Sequence, residues 1–448
     1  MREAPKNAII VTATVLYPLV SVVLFFRGNW YSFFHSYSLG MFFGLVSYCY
    51  FAVALVLGSR VKALDRAFGQ DRILVMHGII AGLALGCAVP HAVLKKIYFP
   101  EETFQSMTGS IGLALFLFVI LMTVLLMLET PLDRIPPLSR LARVLKKTTR
   151  ADYTLLKLLH NLAAPAFALI VLHVLLASPV QETAGKTAFA GVTGLVAVAL
   201  YVRHKLFRPV VSALNAHAVA SVRRLADGIV EIGLEPRGGR KTRHEAGQFA
   251  YFRFLDRTCG FGEHPFTISS APSARGLTVT VKALGDYTAK LGSLREGATC
   301  LVDGPYGLFH PARDDRELLF VAGGIGITPF LSILRDFAEK SRQGTVTLLW
   351  SVRRRGEAFA LEELRSIAAR LNGFRFRVLV TGEPSFAADT PDGRIDARLL
   401  GEELGRFSSP RGVKGFVCGP DAFRRSVQTL LLEAGIPERS VFYEAFSL

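Results

Sequence analysis

Residues 73–94 read ILVMHGIIAGLALGCAVPHAVL, 22 residues without a charge and with one histidine near each end, His77 and His91. At about 1.5 Å per residue, such a run crosses a hydrocarbon core of about 30 Å as a single helix. Working outward, five more runs lack Asp, Glu, Lys and Arg: 8–26, 39–58, 107–128, 158–180 and 187–202. The last has 16 residues and reaches membrane length only if Lys186 and Arg203 snorkel to the two interfaces. A signal peptide is the alternative for the first run. It has no small-residue cleavage site before Arg27, and apolar runs follow it. The expectation is a six-span transmembrane bundle over residues 1–208.

The charge supports that division. The chain carries +16 over 448 residues, from 52 Lys+Arg against 36 Asp+Glu. Residues 1–217 hold 20 basic and 9 acidic side chains, and residues 218–448 hold 32 and 27. Basic residues placed between apolar runs are not the basic face that nucleic acid requires, so a nucleic-acid partner is excluded. Disorder is excluded by the apolar composition. The tail before residue 8, the loops 59–72 and 129–157 and the segment after Val202 carry 16 basic residues, against four (Arg27, Lys95, Lys96, Lys186) in the alternate loops. Positive charge stays inside, which predicts both termini in the cytoplasm.

Four histidines lie inside apolar runs, His77 and His91 in the third and His160 and His173 in the fifth. Ionisable groups in a span usually mark function, and neutral imidazole ligates haem iron well. The separations are 14 and 13 residues, roughly 20 Å along a helix. They suit two haems stacked across a bilayer, each held by one histidine from each helix; packed polar groups or a proton path are the alternatives. One feature opposes the haem reading. At about 100° per residue, 13 positions miss a common face by about 140°, unless Pro165 kinks the helix as Pro90 could beside His91. His35, His204 and His217 read as solvated or linker residues. Lys95 and Lys96 break the charge trend, either as an ordinary flank, as propionate partners or as an attraction for an anionic acceptor.

After Arg208 the pattern turns to short strands between Gly and Pro, at 229–234, 248–255, 277–283 and 299–302, which suggests an antiparallel β-barrel over 209–314. From 315 to 448 strands (318–322, 346–352, 376–381, 415–418) alternate with helices (330–340, 361–371, 422–434), the mark of an α/β parallel sheet. Five scattered cysteines without Cys-x-x-Cys exclude a disulfide framework, a zinc site and an iron–sulfur cluster. No acidic loop of EF-hand type is present, so calcium control within the chain is not expected.

Three stretches carry the chemistry: His264-Pro265-Phe266-Thr267-Ile268-Ser269-Ser270, then Val281-Lys282-Ala283-Leu284-Gly285-Asp286-Tyr287-Thr288, then Gly323-Gly324-Ile325-Gly326-Ile327-Thr328-Pro329-Phe330. With the histidine spacing, they resemble the ferric reductase / NADPH oxidase family, in the compact form of its bacterial single-chain members. The resemblance implies a transmembrane haem domain fused to a ferredoxin-reductase-like module in a bacterial plasma membrane, with FAD, NADPH and two b-type haems as cofactors.

It also implies roles. Phe266 would lie beside the flavin, Thr267 would reach its reactive nitrogen and His264 its pyrophosphate. Pro265, Ser269, Lys282, Asp286 and Tyr287 would complete the flavin site. Gly285 and Thr288 would open a short helix at 288–292, whose backbone N–H groups suit a diphosphate. Gly323, Gly324 and Gly326 would form the nicotinamide loop, with Thr328 and Pro329 near the ring. Arg353 and Arg354 would meet the 2′-phosphate, a solvated basic turn being the alternative. Cys418, Gly419 and Pro420 would face the nicotinamide, and Phe446 would cover the flavin. His77, His91, His160 and His173 would ligate the irons. The acceptor implied is dioxygen, giving superoxide, or a ferric chelate; a haem-free transporter or sensor is the reading from another class.

Overall fold

The computed structural model describes residues 4–26, 34–127, 140, 153–238, 241–383 and 393–445, and the chain divides into two compact units, Met1–Phe207 and Arg208–Leu448.

The first unit is helical: α1 (Ala4–Phe26), α2 (Ser36–Gly58), α3 (Lys62–Phe68), α4 (Gln70–Tyr98), α5 (Phe104–Met127), α6 (Tyr153–His160), α7 (Ala163–Leu175), α8 (Ser178–Gln181) and α9 (Ala184–Val202). Five helices among the described residues are long and apolar enough to cross a membrane: Ser36–Gly58, Gln70–Tyr98, Phe104–Leu125, Leu155–Leu175 and Ala184–Leu214. A shorter apolar helix covers Val11–Phe26, inside the first expected run. The marginal sixth run lies within a helical stretch of 31 residues, because the helix does not stop at Arg203 but continues through a π turn, Arg203–Phe207. Most of the basic loop 129–157 lies outside the described residues. Aromatic rings fill the core, with Phe51 stacked on Phe116 at 3.9 Å between centroids.

The fifth run is not one straight helix. Pro165 has no N–H to give the carbonyl of Asn161, which accepts from Ala164 at 3.1 Å instead, and Leu162 N donates to Leu159 O at 3.0 Å. Such i→i−3 turns wind at about 120° per residue rather than about 100°, which advances the helix in the direction that closes the expected mismatch between His160 and His173.

The second unit opens with α10 (Arg208–Leu214) and a six-stranded antiparallel sheet, β1 (His217–Ala226), β2 (Ile229–Pro236), β3 (Phe249–Leu255), β4 (His264–Thr267), β5 (Leu277–Lys282) and β6 (Thr299–Tyr306), in the order β4-β3-β6-β1-β2-β5. The sheet curls until its edges meet, Ser269 N donating to Thr278 O at 2.8 Å. Alternate side chains such as Val219, Ile232, Phe252, Phe254 and Val279 fill the interior. His217, read from sequence as a linker residue, is a buried first residue of β1.

A short helix, α11 (Asp286–Lys290), follows β5. The parallel sheet then comprises β7 (Glu317–Gly323), β8 (Thr345–Val352), β9 (Phe374–Val380), β10 (Lys414–Gly419) and β11 (Val441–Ala445), in the order β11-β10-β7-β8-β9. Its helices are α12 (Thr328–Glu339), α13 (Leu361–Arg370), α14 (Ala397–Leu404) and α15 (Asp421–Glu433). The chain leaves β7 for one side and returns to β10 on the other. The crevice between the carboxyl ends of β7 and β10 is therefore the topological switch point, where ligands bind in open α/β sheets.

Candidate functional site

The four intramembrane histidines form two pairs. His77 of α4 and His160 of α6 have ring centroids 5.9 Å apart, and His91 of α4 and His173 of α7 are 6.0 Å apart. Each Nδ1 is tied to a neighbouring helix: His77 to Ala54 O at 2.8 Å, His91 to Gly40 O at 2.7 Å, His173 to Gln105 O at 2.8 Å. A carbonyl only accepts, so these Nδ1 atoms carry the proton. His160 Nδ1 meets Thr123 Oγ1 at 3.0 Å, and that hydroxyl already donates to Val119 O, so it too accepts. All four rings therefore carry the proton on Nδ1 and leave Nε2 as the lone-pair nitrogen, the tautomer a metal ligand needs.

Glycines make the room. A Cβ at Gly44 would stand 2.7 Å from His91 Nδ1, and one at Gly109 2.6 Å from His173 Nδ1. These glycines and the Nδ1 acceptors were not picked out from sequence, although Gly44, Gly58 and Gly109 stand in or beside the same apolar runs. Around the first pair lies a cavity of about 110 Å³ lined by Phe51, Phe116, Phe167, Tyr201 and Lys205 among others. Among the described residues no group of three or more His, Cys, Asp or Glu side chains converges on a metal position. One turn beyond His91, the half-buried Lys95 stands 5.0 Å from the Tyr37 ring and 4.7 Å from Phe99.

In the barrel, β4 lies antiparallel to β3, so that Phe266 faces Ala250 and Thr267 faces Phe249. Thr267 is 4% exposed, and its Oγ1 has no hydrogen-bond partner among the described residues. A buried hydroxyl left so costs about 1–3 kcal/mol, and a ligand acceptor there would relieve it. His264 stacks on Tyr287 with centroids 3.7 Å apart. Burial holds the Tyr287 phenol above its ordinary range. The Ser269 hydroxyl donates to Thr278 O at 3.1 Å and lies 3.2 Å from Thr280 Oγ1. Thr288 Oγ1 accepts from the N–H of Gly285 at 3.0 Å, and a Cβ at Gly285 would meet nothing within 4 Å. Asp286 begins α11.

The loop after β7 sits at the switch point. Gly324 has φ +56 with open space where a Cβ would stand, while a Cβ at Gly326 would lie 2.3 Å from Cys418 O. That approach joins Gly323–Ile327 to the turn Cys418-Gly419-Pro420. Thr328 and Pro329 begin α12 and are buried, and Cys418 is fully buried. Arg353 and Arg354 are exposed beyond β8. Lys282 reaches Glu357 at 3.1 Å, and Arg354 approaches the same buried carboxylate at 3.8 Å. Glu357 was not singled out from sequence. Parallel pairing sets Ala445 beside Gly419 at the edge of this turn, and Phe446 lies outside the described residues.

Residues 214–310 match the family described as an FAD-binding domain, and residues 320–429 the oxidoreductase NAD-binding domain. The chain is 28% identical over 207 residues to the 2-halobenzoate 1,2-dioxygenase electron transfer component of Burkholderia cepacia, covering 45% of this chain and 58% of that protein. It is 29% identical over 215 residues to the ferredoxin reductase component of 3-ketosteroid-9-alpha-monooxygenase from Mycolicibacterium smegmatis, covering 46% and 56%. The matches thus span less than two thirds of either relative. The flavohem-like FAD/NAD-binding domain of nitric oxide dioxygenase from Vibrio cholerae is 21% identical, with a TM-score of 0.46, over 52% of this chain and 98% of that one. The second unit thus carries an FAD-binding domain followed by an oxidoreductase NAD-binding domain.

Proposed function

We propose that this chain is a transmembrane flavohaem reductase of the ferric reductase / NADPH oxidase type. Electrons would pass from cytoplasmic NADPH by way of FAD and two b-type haems to dioxygen on the far side of a bacterial plasma membrane. The observation that carries this reading is the pair of histidine pairs with every Nδ1 proton committed outward. Two imidazoles that shared one iron, each about 2 Å from Nε2 to the metal and about 1.2 Å from Nε2 to the ring centre, would space their centroids by about 6.4 Å, near the 5.9 and 6.0 Å of the two pairs. Two protein ligands suffice because a tetrapyrrole supplies the other four, which accounts for the lack of larger ligand clusters among the described residues.

When bound, flavin turns the two-electron hydride of a nicotinamide into single electrons that haem iron accepts. The chain's own residues bind and orient. We assign residues 1–208 to the haem domain, 209–314 to FAD and 315–448 to NADPH. Thr267 presents its unspent hydroxyl to the flavin. Gly324 and Gly326 let the loop approach the nicotinamide beside Cys418, and Arg353 takes the 2′-phosphate. Lys95 favours a second reading, an anionic ferric chelate as acceptor over the same path.

The test is NADPH turnover by the purified protein. In air it is expected to yield superoxide. Under argon it should stop, and recovery with ferric citrate would select the chelate. A protein without a Soret band would remove the haem reading.

A further inference from the structure

Glu357 is a buried carboxylate where the barrel meets the turn after β8. It closes the 3₁₀ turn Arg355–Glu357, in which its N–H donates to Arg354 O at 3.0 Å. A carboxylate taken out of water needs a cation. Two approach the same oxygen, Oε1: Lys282 Nζ from the barrel at 3.1 Å and Arg354 Nε from the turn itself at 3.8 Å. They are not equivalent. The Lys282 side chain is 25% exposed and within bonding distance, whereas that of Arg354 is 62% exposed and stands beyond it. Glu357 is therefore met mainly from the flavin side. Its partner is the last residue of β5, the strand that leads into the turn of Gly285 and Thr288. The charge of Lys282, expected from sequence at the flavin, is thus spent on the nicotinamide domain.

Resting on the assignment of this basic turn to a 2′-phosphate, we infer that Lys282, a residue of the flavin barrel, sets the selectivity between the two nicotinamide dinucleotides. A Glu357 without Lys282 acts twice against a phosphate bound at the turn. It draws in the Arg354 guanidinium, which pairs with a carboxylate as readily as with a phosphate, and it repels the phosphate as a like charge. Lys282 cancels both effects with one short ion pair and leaves Arg354 for the dinucleotide. NADH has no 2′-phosphate and does not sense the pair. Lys282 and Glu357 are positioning residues that act through Arg354, not catalytic ones.

The experiment is isothermal titration calorimetry of the full-length holoprotein with NADP+ and with NAD+, alongside its FAD content. Lys282→Met is expected to raise the Kd for NADP+ about tenfold and leave that for NAD+ in place. Glu357→Gln should tighten NADP+ alone, because it removes the competing charge. The double variant Lys282→Met/Glu357→Gln should return NADP+ close to wild type, a reversal that a merely structural clasp between the domains does not produce. If Lys282→Met loses FAD, Glu357→Gln carries the test by the sign of its effect. A Lys282→Met protein that keeps FAD and binds NADP+ as the wild type does, or weakens both dinucleotides equally, overturns this inference alone, as does weaker NADP+ binding in Glu357→Gln. A wild type that binds NADP+ and NAD+ equally overturns the 2′-phosphate reading and this inference with it.

Discussion

At Gly44 and Gly109 an added Cβ would meet the imidazoles of His91 and His173 at 2.7 and 2.6 Å, whereas at Gly58 the nearest atom, His77 Cε1, is 3.4 Å away. Gly44→Ala or Gly109→Ala should displace a ring whose Nδ1 bond fixes it, and losing the hydrogen bond that orients a ligand imidazole commonly costs about 10–100-fold in metal affinity. The expected outcome is loss of one haem of two by pyridine haemochrome assay, with Gly58→Ala retaining both. The histidines were legible in the sequence because an imidazole inside a span is rare. The glycines were not, because their role depends on which helix lies opposite. A second residue-scale prediction concerns His244, whose Nε2 faces Ser270 O at 3.3 Å. Burial pushes its pKa below the ordinary value of about 6.5. The folded unit therefore favours the neutral ring. The associated stability is present above the unfolded pKa and is lost as pH falls through the folded one. Between about pH 7.5 and about pH 5.5 the wild type should lose more thermal stability than His244→Gln, read by flavin fluorescence on heating.

The elements were legible where periodicity was strong. The parallel strands β7, β8 and β9 and helices α12, α13 and α15 fall close to their expected positions, because continuous apolar runs mark a strand covered on both faces. β1 was missed because Arg223 and Arg224 fall side by side within it and break the alternation. β11 was missed because five residues carry too little pattern. Pro165 was legible as a possible kink, but the i→i−3 turns at Leu162 and Ala164 that rephase the helix depend on which carbonyls it strands. At this scale belongs the turn after β8. Arg353→Ala should abolish most of the preference for NADPH over NADH, seen as a rise in KM for NADPH with kcat for NADH unchanged. Retained selectivity would remove Arg353 from the 2′-phosphate site.

For the molecule as a whole, the sequence made the charge asymmetry and the order of parts plain, but not the contacts that join the two halves of the reductase module. Arg335 of α12 binds Glu363 at 2.6 and 2.8 Å and donates to Ser269 O of the barrel at 2.6 Å. Ser332 Oγ donates to Ser270 O at 2.7 Å beside it. Long-range partners of this kind leave no local pattern. Arg335→Ala removes the donor from the half-buried Glu363 carboxylate and the Ser269 carbonyl, and should destabilise the module by roughly 1–2 kcal/mol, seen as a lower Tm for flavin release. The central claim is that His77, His160, His91 and His173 hold two haems. Its most direct measurement is the haem-to-flavin ratio of the purified protein, with the dithionite-reduced minus oxidised spectrum, in the wild type and in His77→Leu. Two b-type haems per FAD are expected in the wild type and one in His77→Leu, with the same NADPH–dye reductase activity in the variant as in the wild type. Two haems retained in His77→Leu, or none in the wild type, would contradict it.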